Sequence, residues 1–192
     1  YSVSNPRSDF NCDGSGEWAD IEPKSDCGTH EGEVIVPSER MTSIIAHRGC
    51  AAAYPENTLA AVRSARNRGE RVADDVRRCG SGELVVIHDP TVDRVTDGNG
   101  KVSELAFDEL RELDVLDSGE TIPSLDEVLA VIGTETTLHL EIKEPDITGA
   151  VVDRLSTFDG EAVISSFDET VLSTVEAASG YRTALIFGEN SG

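Results

Sequence analysis

From Ser43 onward, short apolar runs alternate with segments whose apolar residues recur every three or four positions. A continuous apolar run of a few residues reads as a buried strand, and the longer period reads as a helix with one buried face. The pattern predicts a short buried strand at Ile44-Ile45-Ala46 and a helix over 58–68, with Asn57 as N-cap and Gly69 just past its end. Strands are predicted over 72–76 and 84–87. Two short helices follow over 107–113 and 125–132, the second capped by Ser124 behind Pro123. A strand over 138–142, a helix over 148–158, a strand over 162–165, a helix over 169–178 and a strand over 183–187 complete the series. This alternation implies an α/β fold with a largely parallel sheet. One link breaks the rule. Only about seven residues separate the second and third strands, whereas a parallel crossover takes a dozen or more. That predicts a hairpin turning at Gly80-Ser81-Gly82.

Composition changes near residue 42 and suggests two regions: a polar, flexible N-terminal segment over 1–42 and a folded domain over 43–192. Within the first, Cys27-x-x-His30 has the spacing of half a zinc site, but structural zinc wants four ligands and no second pair is present. A flexible tail is the plainer reading. Met41 stands directly before the first strand and is a possible natural start; the chain itself begins with Tyr1, which leaves the true N-terminus open.

Charge narrows the partners. Sixteen Lys and Arg face 37 Asp and Glu, a net charge of −21. Such a balance excludes a nucleic-acid binder, which needs cationic contacts to phosphate, and argues against docking on an anionic membrane. It suits a salt-loving source, since the Debye length is only about 3 Å at 1 M salt and self-repulsion is screened; an ordinary acidic protein is the alternative. The longest apolar runs, such as Ala184-Leu185-Ile186-Phe187, fall far short of the ~20 residues of a membrane span. No signal peptide is visible, and the four dispersed cysteines read as free thiols in a reducing compartment, which predicts a cytoplasmic location.

The chemistry gathers at strand ends. The first strand ends in His47-Arg48-Gly49 and the third in His88-Asp89-Pro90; the second carries Asp74-Asp75 and the fourth Glu141 and Lys143. In an α/β barrel the C-terminal ends of the strands converge on one catalytic face. Carboxylates there hold a hard divalent cation, Arg and Lys hold a phosphate, and two histidines serve as general base and general acid. The set fits metal-assisted phosphoester cleavage. Singly, each residue has a plain reading: a histidine at a strand end is often a satisfied polar group, and Glu141 with Lys143 can be a simple ion pair. His139 has no motif around it and reads as structural.

Taken in order, His47-Arg48-Gly49, Pro55-Glu56-Asn57-Thr58, Val85-Val86-Ile87-His88-Asp89, Ile122-Pro123-Ser124-Leu125-Asp126-Glu127-Val128-Leu129, Glu141-Ile142-Lys143 and Ile164-Ser165-Ser166-Phe167 resemble the glycerophosphodiester phosphodiesterase family over residues 43–192. The resemblance implies a TIM-type (β/α) barrel of the phospholipase C-like phosphodiesterase kind, with an insertion after the third strand at about residues 90–122. It implies hydrolysis of a small-molecule glycerophosphodiester to glycerol 3-phosphate and an alcohol, with Mg²⁺ or Ca²⁺. By match to the family motifs, His47 and His88 are the acid/base pair, Arg48 and Lys143 contact the phosphate, Asp75 and Glu141 ligate the metal, and Glu56 is supporting.

Two departures stand out. The family carries Glu-x-Asp on its second strand. Counting back from His88 places Asp75 at the Asp position and Ala73 at the Glu position; counting forward from Gly69 places Asp74 there instead. A regular strand points Asp75 and Ala73 one way and Asp74 the other, whereas a bulge would bring both aspartates inward as metal ligands. The second departure is length. Barrels of this type take about 250 residues, and about six strands are predicted here, so the barrel is expected to be incomplete, with two open edges that invite self-association. A catalytically impaired relic or phosphate-binding pseudoenzyme is therefore the alternative reading.

Overall fold

A computed structural model of the protein describes residues 44–187. The Cys27–His30 pair, Met41 and the polar segment over 1–42 lie outside the described residues. The described chain is an incomplete α/β barrel. Its elements are β1 (Ile45–His47), α1 (Leu59–Asn67), β2 (Arg71–Arg78), β3 (Leu84–Val86), α2 (Phe107–Arg111), α3 (Leu125–Ile132), β4 (Leu138–Ile142), α4 (Thr148–Leu155), β5 (Ala162–Ser166), α5 (Glu169–Ala178) and β6 (Arg182–Leu185). The strands order as β1-β2-β4-β5-β6, all parallel, while β3 pairs antiparallel with the upper part of β2. The hairpin predicted from the short link is thus present. It lengthens β2 beyond its predicted end at Val76, because Val76, Arg77 and Arg78 find partners in Val86, Val85 and Leu84.

Strand alternation divides the sheet into two chemically different faces. One row is apolar: Val72, Val76, Leu138, Leu140, Ile142 and Ile164 are at most 1% exposed and pack against α1, α3, α4 and α5. Helix α3 shows why the period works, since Leu125, Val128, Leu129 and Ile132 form its buried stripe. Ser124 caps it, accepting from the Glu127 amide at 3.2 Å while the Glu127 carboxylate accepts from the Ser124 amide at 2.9 Å. The other row faces the barrel interior: His47 is level with Ala73, Ala73 with His139, Asp75 with Glu141, and Glu141 with Ser165.

Residues between β3 and α3 form a lobe with its own small core, in which Val85, Ile87, Val92, Val95, Val102, Leu110, Val115 and Ile122 are buried. Two predictions fail locally. Strand β1 is buried only at Ala46: Ile44 and Ile45 are 64% and 45% exposed, because among the described residues β1 has a neighbour on one side only. The N-cap of α1 is Thr58 rather than Asn57; the Thr58 hydroxyl accepts from the Ala61 amide, while Asn57 sits in the left-handed region with φ of 57°.

Candidate active site

Four connections deliver polar side chains to one place. After β1 the backbone turns through Arg48 and Gly49, both at positive φ. Only glycine fits at 49: an added Cβ would lie 2.7 Å from the Ala61 Cβ, so the turn can lie flat on α1. The Arg48 amide donates to the Ala73 carbonyl at 2.5 Å, which fastens this turn to β2. His88 arrives from the opposite direction, down the returning limb of the hairpin. The Ile87 amide donates to the Asp75 carbonyl at 3.0 Å, and the Arg77 Nε donates to the His88 carbonyl at 2.9 Å. His88 therefore does not sit at the end of a parallel barrel strand as predicted, yet it reaches the same face.

The result is a cavity of about 430 Å³ whose wall includes His47, Arg48, Asp75, His88, Glu141 and Lys143. The expected residues His47, Arg48, Asp75, His88, Glu141 and Lys143 are thus brought to one cavity, while Glu56 is not part of its lining. The lining also has an apolar part, formed by Ile45, Phe167 and Ile186. Ion pairing organises the floor. Lys143 Nζ lies 2.9 Å from Asp75 Oδ1 and 2.5 Å from Glu141 Oε1, bridging two facing carboxylates. The second oxygen of Asp75 accepts from Asn57 Nδ2 at 3.2 Å and faces Arg48 Nε at 3.6 Å. Burial pushes the Asp75 carboxyl up, but Lys143 and Asn57 outweigh it and hold its pKa below the ordinary value. Arg48 Nε itself is buried without a hydrogen-bond partner, with the Asp75 carboxylate as its ion-pair neighbour.

Asp74 does not join this floor. The β2–β4 register runs without a bulge through Val72, Ala73, Asp74, Asp75 and Val76, so Asp74 is level with Leu140 while Asp75 is level with Glu141. Asp74 borders the cavity, but alternation assigns its side chain to the row of Val72 and Val76. It is 2% exposed, and neither carboxylate oxygen has a hydrogen-bond partner. Burial first, and then the charge of Asp75, raise its pKa to about 7.

Several contributors were missed in the sequence. Asn57 supports Asp75 across 18 positions. Arg94 and Asp89 form an ionic rim with Glu56: Arg94 donates to Glu56 at 2.6 and 3.1 Å and also pairs with Asp89, while Glu56 accepts from Arg48 at 2.8 Å. His139, read as structural, lines the cavity level with Ala73, and its Nε2 is buried and unpartnered; burial, then Arg71 and Arg182, lower its pKa. Only the Pro-Glu-Asn-Thr string over residues 55–58, half-buried to buried, hinted at any of these.

Among the described residues no group of three or more His, Cys, Asp or Glu side chains is assembled for a metal ion. Two carboxylates do converge, however, as the single ammonium touching both demonstrates. Oxygen donors suit Mg²⁺ or Ca²⁺, and Mg²⁺ is commonly held by one or two carboxylates with water and substrate phosphate completing its shell. The residues present fit a divalent cation held by Asp75 and Glu141.

Comparison with known proteins bears on the family and the fold. A glycerophosphodiester phosphodiesterase of Caldanaerobacter subterraneus subsp. tengcongensis is 37% identical over 150 residues, covering 70% of this chain and 62% of the relative. The structure of an Oleispira antarctica phosphodiesterase in complex with the product sn-glycerol-3-phosphate is similar with a TM-score of 0.66 at 34% identity, covering 71% of this chain and 62% of that one. A glycerophosphodiester phosphodiesterase of Thermotoga maritima gives a TM-score of 0.68 at 31% identity, covering 78% and 64% of the two chains. The chain thus spans less than two thirds of the length of these relatives. The family model for glycerophosphoryl diester phosphodiesterases matches residues 47–189, well over half of the sequence, and the chain belongs to that family.

Proposed function

We propose that this polypeptide carries the site for hydrolysing glycerophosphodiesters to glycerol 3-phosphate and an alcohol. One observation carries the reading: imidazoles, cations and two facing carboxylates from four separate connections line one cavity. Arg48 and Lys143 receive the phosphate oxygens. The His88 Nδ1–H donates to the Asp89 carboxylate at 2.6 Å, so its Nε2 is the atom that takes or gives a proton. His47, at the end of β1, supplies the partner imidazole. One removes a proton from the attacking water or glycerol hydroxyl as the new P–O bond forms, and the other protonates the leaving alkoxide as its P–O bond breaks; where the glycerol hydroxyl attacks, water then opens the cyclic phosphate with the same pair. The apolar wall of Ile45, Phe167 and Ile186 is the side left for the leaving alcohol. Asp75 and Glu141 hold the divalent cation, which when bound neutralises charge on the phosphate. Nothing in the comparisons favours the phosphate-binding alternative.

The test is release of glycerol 3-phosphate from glycerophosphocholine in high salt, with Mg²⁺, with Ca²⁺ and with chelator. Turnover with either ion and its loss in chelator are expected. His47→Ala and His88→Ala should each lower kcat by about 10²–10⁴-fold; wild-type rates in both variants would sink the assignment.

A further inference from the structure

We propose that Arg94 is a positioning residue for this reaction: from the lobe after β3 it clamps Asp89 and Glu56 together, and through them orients His88 and Arg48. The proposal rests on the reading of the cavity as a phosphodiesterase site. The contacts form one unbroken chain around the rim. Arg48 donates to Glu56 at 2.8 Å, Arg94 donates to both oxygens of Glu56 at 2.6 and 3.1 Å, Arg94 Nε pairs with Asp89 Oδ2, and Asp89 Oδ1 accepts from His88 at 2.6 Å. Each end of the chain is a side chain that meets the substrate phosphate or its protons.

Arg94 is itself placed by the fold. Its neighbours Val92 and Val95 are buried in the small core of the lobe. The turn between them is closed by the Thr96 hydroxyl and amide, which donate to the Val92 carbonyl at 2.9 and 3.0 Å. The guanidinium is planar and presents donors along two edges, so it can serve two carboxylates in fixed directions; an ammonium cannot. Burial pushes the Asp89 carboxyl up, but Arg94 and then His88 outweigh it and hold its pKa down at about 2. Asp89 is therefore an acceptor under all working conditions, and the proton between it and His88 belongs to Nδ1. The Arg94 side chain is 48% exposed, and half-exposed ion pairs contribute little to stability. Its value lies in direction.

The experiment compares the full chain with Arg94→Ala, Arg94→Lys and Arg94→Gln. Three readouts are taken: the thermal midpoint, kcat and KM on glycerophosphocholine, and the ¹⁵N signals of the His88 imidazole without substrate, assigned with His88→Gln. Loss of a partner one step removed from the reacting groups typically costs 10–100-fold in activity. Arg94→Ala is expected to lower kcat by that factor with KM changed less than about threefold, and Lys to recover part of the loss because it can keep one carboxylate. The His88 signal is expected to shift from the Nδ1–H tautomer toward a mixture, at a near-unchanged thermal midpoint. A folded Arg94→Ala with wild-type kcat and an unmoved imidazole signal overturns the proposal. Should Ala fail to fold, Gln gives the same reading. Should the wild type release no glycerol 3-phosphate, the parent reading fails, and the imidazole signal alone still decides for or against the clamp.

Discussion

Asp74 is a buried acid that works against the fold at neutral pH. Its carboxyl lies in a row of buried aliphatic side chains with both oxygens unpartnered, and its pKa is raised to about 7. An unfolded aspartate titrates near 3.9, so the folded state favours the protonated form. Stability from this group is fully present below about pH 4 and is lost as pH rises through about 7; the difference is on the order of 4 kcal/mol at 1.36 kcal/mol per unit. Asp74→Asn should flatten the fall in urea midpoint between pH 5 and pH 8, and Asp74→Leu should raise the midpoint at pH 8. A wild-type midpoint independent of pH in that window would show that the carboxyl is not held neutral. One position away, Ala73 shares the inner row with Asp75. Ala73→Glu should add a third carboxylate to the floor and tighten Mg²⁺ binding about 10-fold or more, read by calorimetry on the protein without substrate. Alternation alone made both assignments readable in the sequence once the strand was regular. Asn57 and Arg94 were not readable, because their partners lie 18 and 38 positions away and the left-handed backbone at Asn57 leaves no periodic trace.

At the level of elements, the turn after β1 shows how packing and chemistry share one constraint. Gly49 lies against α1 while the neighbouring Arg48 amide is tied to β2. Gly49→Ala should therefore lift the turn off α1, costing about 1–3 kcal/mol in denaturant titration, and lower kcat as well because Arg48 moves with it. Helices with strong stripes and caps were legible to the residue: α3 and α5 begin and end where the pattern placed them. Their signals are local. Strand β4 was legible to the residue and β5 to within one, whereas β2 grew because a partner strand, not its own composition, extended it. The hairpin followed from chain length alone, since a link that short has no room for a crossover. Within the lobe between β3 and α3 only the helix over 107–113 was legible, found as α2; the rest of its core is assembled from apolar residues spaced too irregularly to show a period.

For the whole molecule, charge and edges set behaviour in solution. A net charge of −21 acts against the compact state through self-repulsion. Raising salt from 0.1 M to 1 M shortens the Debye length from about 10 Å to about 3 Å, so the thermal midpoint should rise over that range; a midpoint that falls would contradict the repulsion account. Among the described residues no helix is long and apolar enough to cross a membrane, and Cys50 and Cys79 are free thiols. Strands β1 and β6 each pair on one side only among the described residues, and Ile44, Ile45 and Phe167 are exposed. Expressed as these 192 residues, the polypeptide should associate with rising concentration through these edges, and Ile45→Lys should reduce that association in light scattering.

The back-to-back acids of β2 carry one more implication. A strand that slips by a single step normally empties its functional row, yet here such a slide would still bring a carboxylate under the Lys143 ammonium, with Asp74 standing in for its neighbour. What resists the slide is Val72 and Val76, which would be turned out of the oily layer beneath the helices. Two valines, rather than the aspartates themselves, therefore decide which acid does the chemistry.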